Sequence, residues 1–151
     1  MSPSDWGPPT WIFIHTLAQK LREDQFSAIG IPLILQIKTI CYHLPCPDCT
    51  THAKDFWSKV QIGNIKTKQD LVNLLFMFHN MVNSRKRQPL FKKENLISTY
   101  SRKSLIETFN NFVRNFNTKG NMNLINESFH RNIFLKNFKK WMMENMKYFT
   151  L

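Results

Sequence analysis

An all-α fold is predicted by three features of the sequence. There are only four glycines in 151 residues, no stretch alternates apolar and polar side chains for the length of a strand, and apolar residues recur three and four positions apart. A hydrophobic content of 42%, including thirteen Phe and four Trp, is enough for one domain to bury a substantial core, which argues against global disorder.

The elements follow in order. Pro8 and Pro9 suit the first turn of a helix that runs through Trp11, Ile14, His15 and Leu17. A second helix is expected from about Pro32 to Cys41, and a third from Pro47 to about Val60, again with proline at its start. Gly63 to Thr67 reads as a loop. Leu71, Leu74, Leu75, Phe78 and Val82 then mark a fourth helix that ends before Pro89. Near residue 100 the composition shifts, since ten of fifteen Asn lie at or beyond Asn110. The segment is still helical by pattern, with Leu105, Ile106, Phe109, Phe112, Val113 and Phe116 on one face. Asn117 to Asn126, with Gly120, reads as a loop, and Phe129, Ile133, Phe138, Trp141 and Met142 predict a last helix. The expected organisation is a four-helix unit over residues 1–100 and a helical C-terminal extension of undefined role over 101–151.

Charge and cysteine usage narrow the classes. The net charge of +11 is spread thinly, its densest run being Arg85-Lys86-Arg87 with Lys92-Lys93, so it reads as a solvated basic surface. Nucleic acid is not expected as a partner; an acidic partner or cofactor fits the sign of the charge. No run of eighteen apolar residues occurs and Met1 to Thr10 lacks the regions of a signal peptide, so a soluble intracellular protein without a membrane span is expected. Three cysteines cannot build a disulfide framework.

Two of the three stand in H-L-P-C-P-D-C-T-T-H, residues 43 to 52. Pro47 places Cys46 near the cap of a helix, where unpaired N–H groups and the helix dipole favour a thiolate, and the Cys46–Cys49 spacing lets the sulfurs close a small, reducible ring. Zinc is the alternative. His52 lies three residues after Cys49, and His43 or His79 could complete four ligands, although the second ligand pair of a zinc module is missing. A thioredoxin-like site is disfavoured because no strand precedes the motif. The pair alone leaves these readings open.

Two further groups change the balance. Trp6-Gly7-x-x-x-Trp11-x-x-x-His15 puts Trp11 and His15 one turn apart, and His79-Asn80-x-Val82-Asn83-x-x-Lys86 puts His79, Asn83 and Lys86 on a shared face. Singly, Trp11 suits a core, a helical His a satisfied polar group and Lys86 a snorkelling surface chain. Together with the dithiol they supply what a flavin dinucleotide requires: a flat ring to stack on, side chains that hydrogen-bond, and a cation for the pyrophosphate.

With these three segments in this order, the chain resembles the FAD-linked sulfhydryl oxidases of the Erv/ALR type, in the compact form of large DNA viruses, over roughly residues 6 to 91. The resemblance implies a four-helix bundle that cradles non-covalent FAD, a short fifth helix and a homodimer. It implies that Cys49 lies against the flavin and that Cys46 meets the incoming thiol. Gly7, Trp11, His15, His52, His79, Asn80, Val82, Asn83 and Lys86 are implied to line the cofactor site, with no metal. It further implies O2 as electron acceptor with H2O2 as product, and work in the host cytoplasm or virus factory, with passage into the virion as a further expectation. Two departures stand out. Leu74 occupies a position that is Trp in many members, and no second, shuttle Cys-x-x-Cys is present, so a separate small dithiol or thioredoxin-like carrier is expected as partner. Cys41, in an apolar helical run, is expected to be a buried core thiol. The competing class is a non-enzymatic helical module, zinc-stabilised or binding nucleic acid through its basic C-terminal tail.

Overall fold

In a computed structural model, residues 3–116 and 125–151 are described. Seven α-helices form among them: α1 (Pro3–Lys20), α2 (Phe26–Tyr42), α3 (Pro47–Ser58), α4 (Lys68–Arg85), α5 (Leu96–Tyr100), α6 (Leu105–Phe116) and α7 (Ile125–Asn145). The described residues form no strand; a single bridge joins Leu21 to Phe149, tying the C-terminus to the end of α1. None of their helices is long and apolar enough to cross a membrane. Most of the expected 117–126 loop lies outside the described residues; its last two positions open α7.

Two helices begin earlier than the prolines predict. Pro8 and Pro9 stand inside α1 and Pro32 inside α2. In both cases the prolines fall in the second turn, where each forgoes one i→i−4 bond, and packing of the extended helix offsets that loss. In α2 the buried stripe Phe26, Ile29, Gly30, Leu33, Ile34, Ile37, Ile40 keeps helical spacing past Pro32. Gly30 is needed there, because the Phe26 ring lies where a side chain would be: a Cβ would stand 2.7 Å from its tip. The start of α4 is set by a capping box. The Thr67 hydroxyl accepts from the Asp70 amide at 3.1 Å and the Asp70 carboxylate accepts from the Thr67 amide at 3.1 Å.

The extension is part of the core. α6 packs along α1, where Phe13 stacks on Phe112 (ring centroids 4.8 Å apart) and meets Phe109 and Phe138 at 5.6 and 5.9 Å. The buried face of α6 is Leu105, Phe112 and Phe116, with Phe109 half-buried; Ile106 turns out to solvent, against the expectation. On α7 the buried stripe is Arg131, Phe134, Leu135, Phe138 and Met142. Phe129 and Ile133 are exposed, also against expectation, because each lies about 200° around the helix from the stripe's neighbouring members.

Candidate functional site

The turn between α2 and α3 sets the dithiol. Cys46 has extended backbone and caps α3, its Sγ accepting from the Cys49 amide at 3.2 Å, while Pro47 takes the first helical position, where no N–H is missed. The Thr50 hydroxyl donates to the Leu44 carbonyl (3.3 Å), and the Arg131 guanidinium of α7 donates through Nε to the His43 carbonyl (2.7 Å). The structure holds Cys46 and Cys49 as half-buried thiols.

The two sulfurs face different spaces. Cys49 lines a narrow, mostly apolar pocket of about 50 Å³ between α1, α3 and α4, together with Gly7, Trp11, Phe78, Val82 and, at the mouth, Arg85 and Lys86. Cys46 is not among that pocket's residues; it lines a wider groove on the α7 side, with Leu44 the residue common to both. The Cys49 thiol is pushed up to about 11, first by burial and then by its hydrogen bond with Cys46 and the charge there, with Lys86 and Arg85 opposing. At Cys49, one turn inside the helix, desolvation outweighs the two cations. Cys41 also borders the pocket and is buried, as expected; burial pushes its thiol up to about 12.

The aromatic and imidazole groups come together beside this pocket. Trp11 stacks on His79 at 4.0 Å with planes 6° apart and meets Phe78 edge-on at 5.1 Å. His15 Nε2 lies 2.9 Å from His79 Nδ1, and Tyr100 of the short α5 stacks on the other side of His15 at 4.7 Å. Burial brings His15 down to about 3, helped by the charge of His79, and burial alone brings His79 down to about 4. Both rings are therefore neutral at pH 7 and share one N–H between them.

The remaining predicted residues divide. Gly7, Val82 and Lys86 line the pocket with Trp11, and a Cβ on Gly7 would meet nothing within 4 Å. Asn80 is committed elsewhere: its amide accepts from the Phe91 N–H (2.8 Å) and donates to the Phe91 carbonyl (2.9 Å), pinning the following segment to α4. Asn83 is half-buried outside the pocket lining, its backbone carbonyl accepting from Gln88 at 2.8 Å. His52 is exposed on α3, while its neighbour Ala53 faces the pocket. Sequence reasoning missed Arg85, folded into a basic run that looked merely solvated, and Tyr100, whose place depends on tertiary packing alone. Among the described residues no three His, Cys, Asp or Glu side chains stand together as metal ligands.

The fold and site define a helical dithiol protein in which one sulfur borders an open groove and the other a small apolar pocket with two cations in its lining. The profile of the Erv1 / Alr family matches residues 8–102, and the chain belongs to that family. It is similar to a putative FAD-linked sulfhydryl oxidase of invertebrate iridescent virus 6, with 30% identity over 60% of this chain and 86% of the relative. A protein of fowlpox virus described as a probable FAD-linked sulfhydryl oxidase is 28% identical over 70% of this chain and its own full length. A putative FAD-linked sulfhydryl oxidase of invertebrate iridescent virus 3 is 25% identical over 66% and 68%. No solved structure matches.

Proposed function

We propose that this protein is an FAD-linked sulfhydryl oxidase that makes disulfides in partner proteins. The observation that carries the reading is the division of the dithiol: Cys49 borders the pocket of Trp11, Gly7 and Lys86, and Cys46 borders an open groove. The donor set suits the cofactor. Trp11, backed by His79, offers an aromatic ring at the pocket, the open space before Gly7 admits close approach, and Arg85 with Lys86 suits a diphosphate, while His15 and His79 lie behind the lining and bond each other.

In the oxidised enzyme a partner thiolate attacks Cys46 Sγ, the Cys46–Cys49 bond breaks, and Cys49 leaves as thiolate. The partner's second thiolate attacks its own sulfur in the mixed disulfide, releases Cys46 and departs as a disulfide. Arg85 and Lys86 stabilise the Cys49 thiolate against the burial that otherwise favours its thiol. FAD, which Gly7, Trp11, Arg85 and Lys86 would hold beside Cys49, would supply the two-electron link from the dithiol to O2, the overall balance being two thiols and O2 to one disulfide and H2O2. The partner is a small dithiol or thioredoxin-like carrier, a role left open by the absence of a second Cys-x-x-Cys in this chain. On the family resemblance alone the reading extends to a homodimer at work in the host cytoplasm or virus factory.

Purified protein carrying flavin near a 1:1 ratio and releasing peroxide from dithiothreitol is the expected result. Cys49→Ser should trap a mixed disulfide at Cys46. A colourless protein, or recovery of no adduct at Cys46, refutes the reading.

A further inference from the structure

We infer that the groove between the Cys46 turn and the first two turns of α7 docks an extended, cysteine-bearing segment of the partner, and that it selects segments with acidic residues beside the cysteine. This deepens the sulfhydryl-oxidase reading and rests on it.

The groove holds about 380 Å³, against about 50 Å³ in the pocket that Cys49 borders, and Cys46 is the sulfur it contains. One wall is Pro45, Pro47 and the Thr50, Thr51 and Lys54 side of α3; the other is Glu127, His130 and Arg131 of α7. Attack on a disulfide sulfur requires the incoming thiolate roughly opposite the leaving sulfur. A thiolate in the groove reaches Cys46 while Cys49 departs into the pocket, so the two spaces sort nucleophile from leaving group.

The extension fixes this shape. Arg131 donates to the His43 carbonyl at 2.7 Å and through Nη2 to the Leu44 carbonyl at 3.4 Å, and it lies over the Phe116 ring at 5.9 Å. His43 stacks on Phe134 at 5.0 Å with planes 5° apart. The turn that carries Cys46 and the helix facing it are thus joined, and a docking segment meets walls already in place, which lowers the ordering cost of binding.

Charge defines the occupant. The Lys54 ammonium stands 5.5 Å from the centre of the Tyr42 ring, itself part of the groove, and Lys38 stands 5.6 Å from the same ring. On the facing wall Arg131 is buried against the backbone carbonyls and offset by Glu127, the single carboxylate among the described lining residues, so Lys54 is the exposed cation of the groove, with His130 a hydrogen-bonding ring opposite it. The chain as a whole carries +11. A segment with Asp or Glu flanking its cysteine is attracted on approach and paired in place; one with Lys is repelled.

The test uses the flavin-loaded full chain and two peptides, identical except that Asp or Lys flanks their cysteine pair. The Asp peptide should be oxidised with kcat/KM roughly tenfold higher at low salt, the combined effect of a few partly exposed charge pairs, and the advantage should shrink at about 1 M salt. Binding of the matching Cys→Ser peptides, read by fluorescence anisotropy, should show the same order without any turnover. Lys54→Glu with His130→Glu should abolish or invert the ratio. Because both peptides meet the same preparation, partial misfolding does not mimic an inverted ratio. A ratio within about twofold of one in the parent protein, or unchanged in the double variant, overturns the groove while leaving the oxidase standing. A flavin-loaded protein that oxidises neither peptide nor dithiothreitol overturns the oxidase reading itself.

Discussion

Phe112→Ala tests whether the C-terminal extension is part of the oxidase core. Phe112 is fully buried; its ring lies 4.8 Å from Phe13 of α1 and 4.8 Å from Phe116, with Phe138 of α7 at 6.2 Å. Removing a ring from such a site costs about 3–5 kcal/mol, transfer and cavity terms together, and the lost stacking on Phe13 contributes to the upper part of that range. At about 2–4 °C per kcal/mol for a chain of this size, Tm should fall by roughly 6–20 °C. Thermal unfolding followed by circular dichroism measures it, with Ile106→Ala, exposed on the same helix, as the reference expected to stay within about 0.5 kcal/mol. The pair Phe13→Ala and Phe112→Ala should be non-additive, since each empties the space the other has already loosened. A Phe112→Ala protein melting within about 2 °C of the parent refutes the packing of α6 on α1, and with it the view that the extension supports the site from behind.

Three more outcomes follow from the geometry. His15 and His79 are held neutral, with pKa values near 3 and 4 against an ordinary 6.5, so their contribution to stability is complete above pH 6.5 and is lost as pH falls from there toward 4. Each should cost roughly 1.4 kcal/mol per pH unit in that window; urea midpoints at pH 7 and 5 measure this, and a slope unchanged by His79→Gln argues against it. Asn80→Ala removes both bonds to Phe91 and should speed amide exchange at Phe91 on the order of tenfold or more, whereas unchanged protection would mean that the segment is held by something else. Cys41, buried with its thiol pushed up to about 12, should resist iodoacetamide in the folded protein and react only in denaturant; labelling at the rate of Cys46 would show it accessible.

The parts of this site legible in the sequence are those fixed by local rules. That Cys46 caps a proline-led helix start can be read from C-P-D-C, whereas the different spaces faced by Cys46 and Cys49 are legible only through the family resemblance. Trp11, His15 and His79 could be grouped by helical spacing, though only tertiary contact makes the two imidazoles one neutral pair. Spacing on one helix does not fix what each side chain meets. Asn80 and Asn83 follow His79 on α4, yet the first bonds Phe91 and the second lies outside the pocket lining; His52 shares a helix with Cys49 and faces solvent. Arg131 is the sharpest case. In an Asn- and Lys-rich segment an arginine reads as solvent-facing, so the apolar stripe of α7 was drawn through Phe129 and Ile133 instead. The structure buries Arg131 because backbone carbonyls of the Cys46 turn accept its guanidinium, and no neighbouring residue in the sequence carries a trace of that partner 88 positions away. A charged residue that replaces an apolar one in a buried stripe is informative for this reason: burial without an acceptor would be too costly, so its place in the stripe implies a fixed polar partner on the facing element. Here that element is the turn that carries the exchanging sulfur.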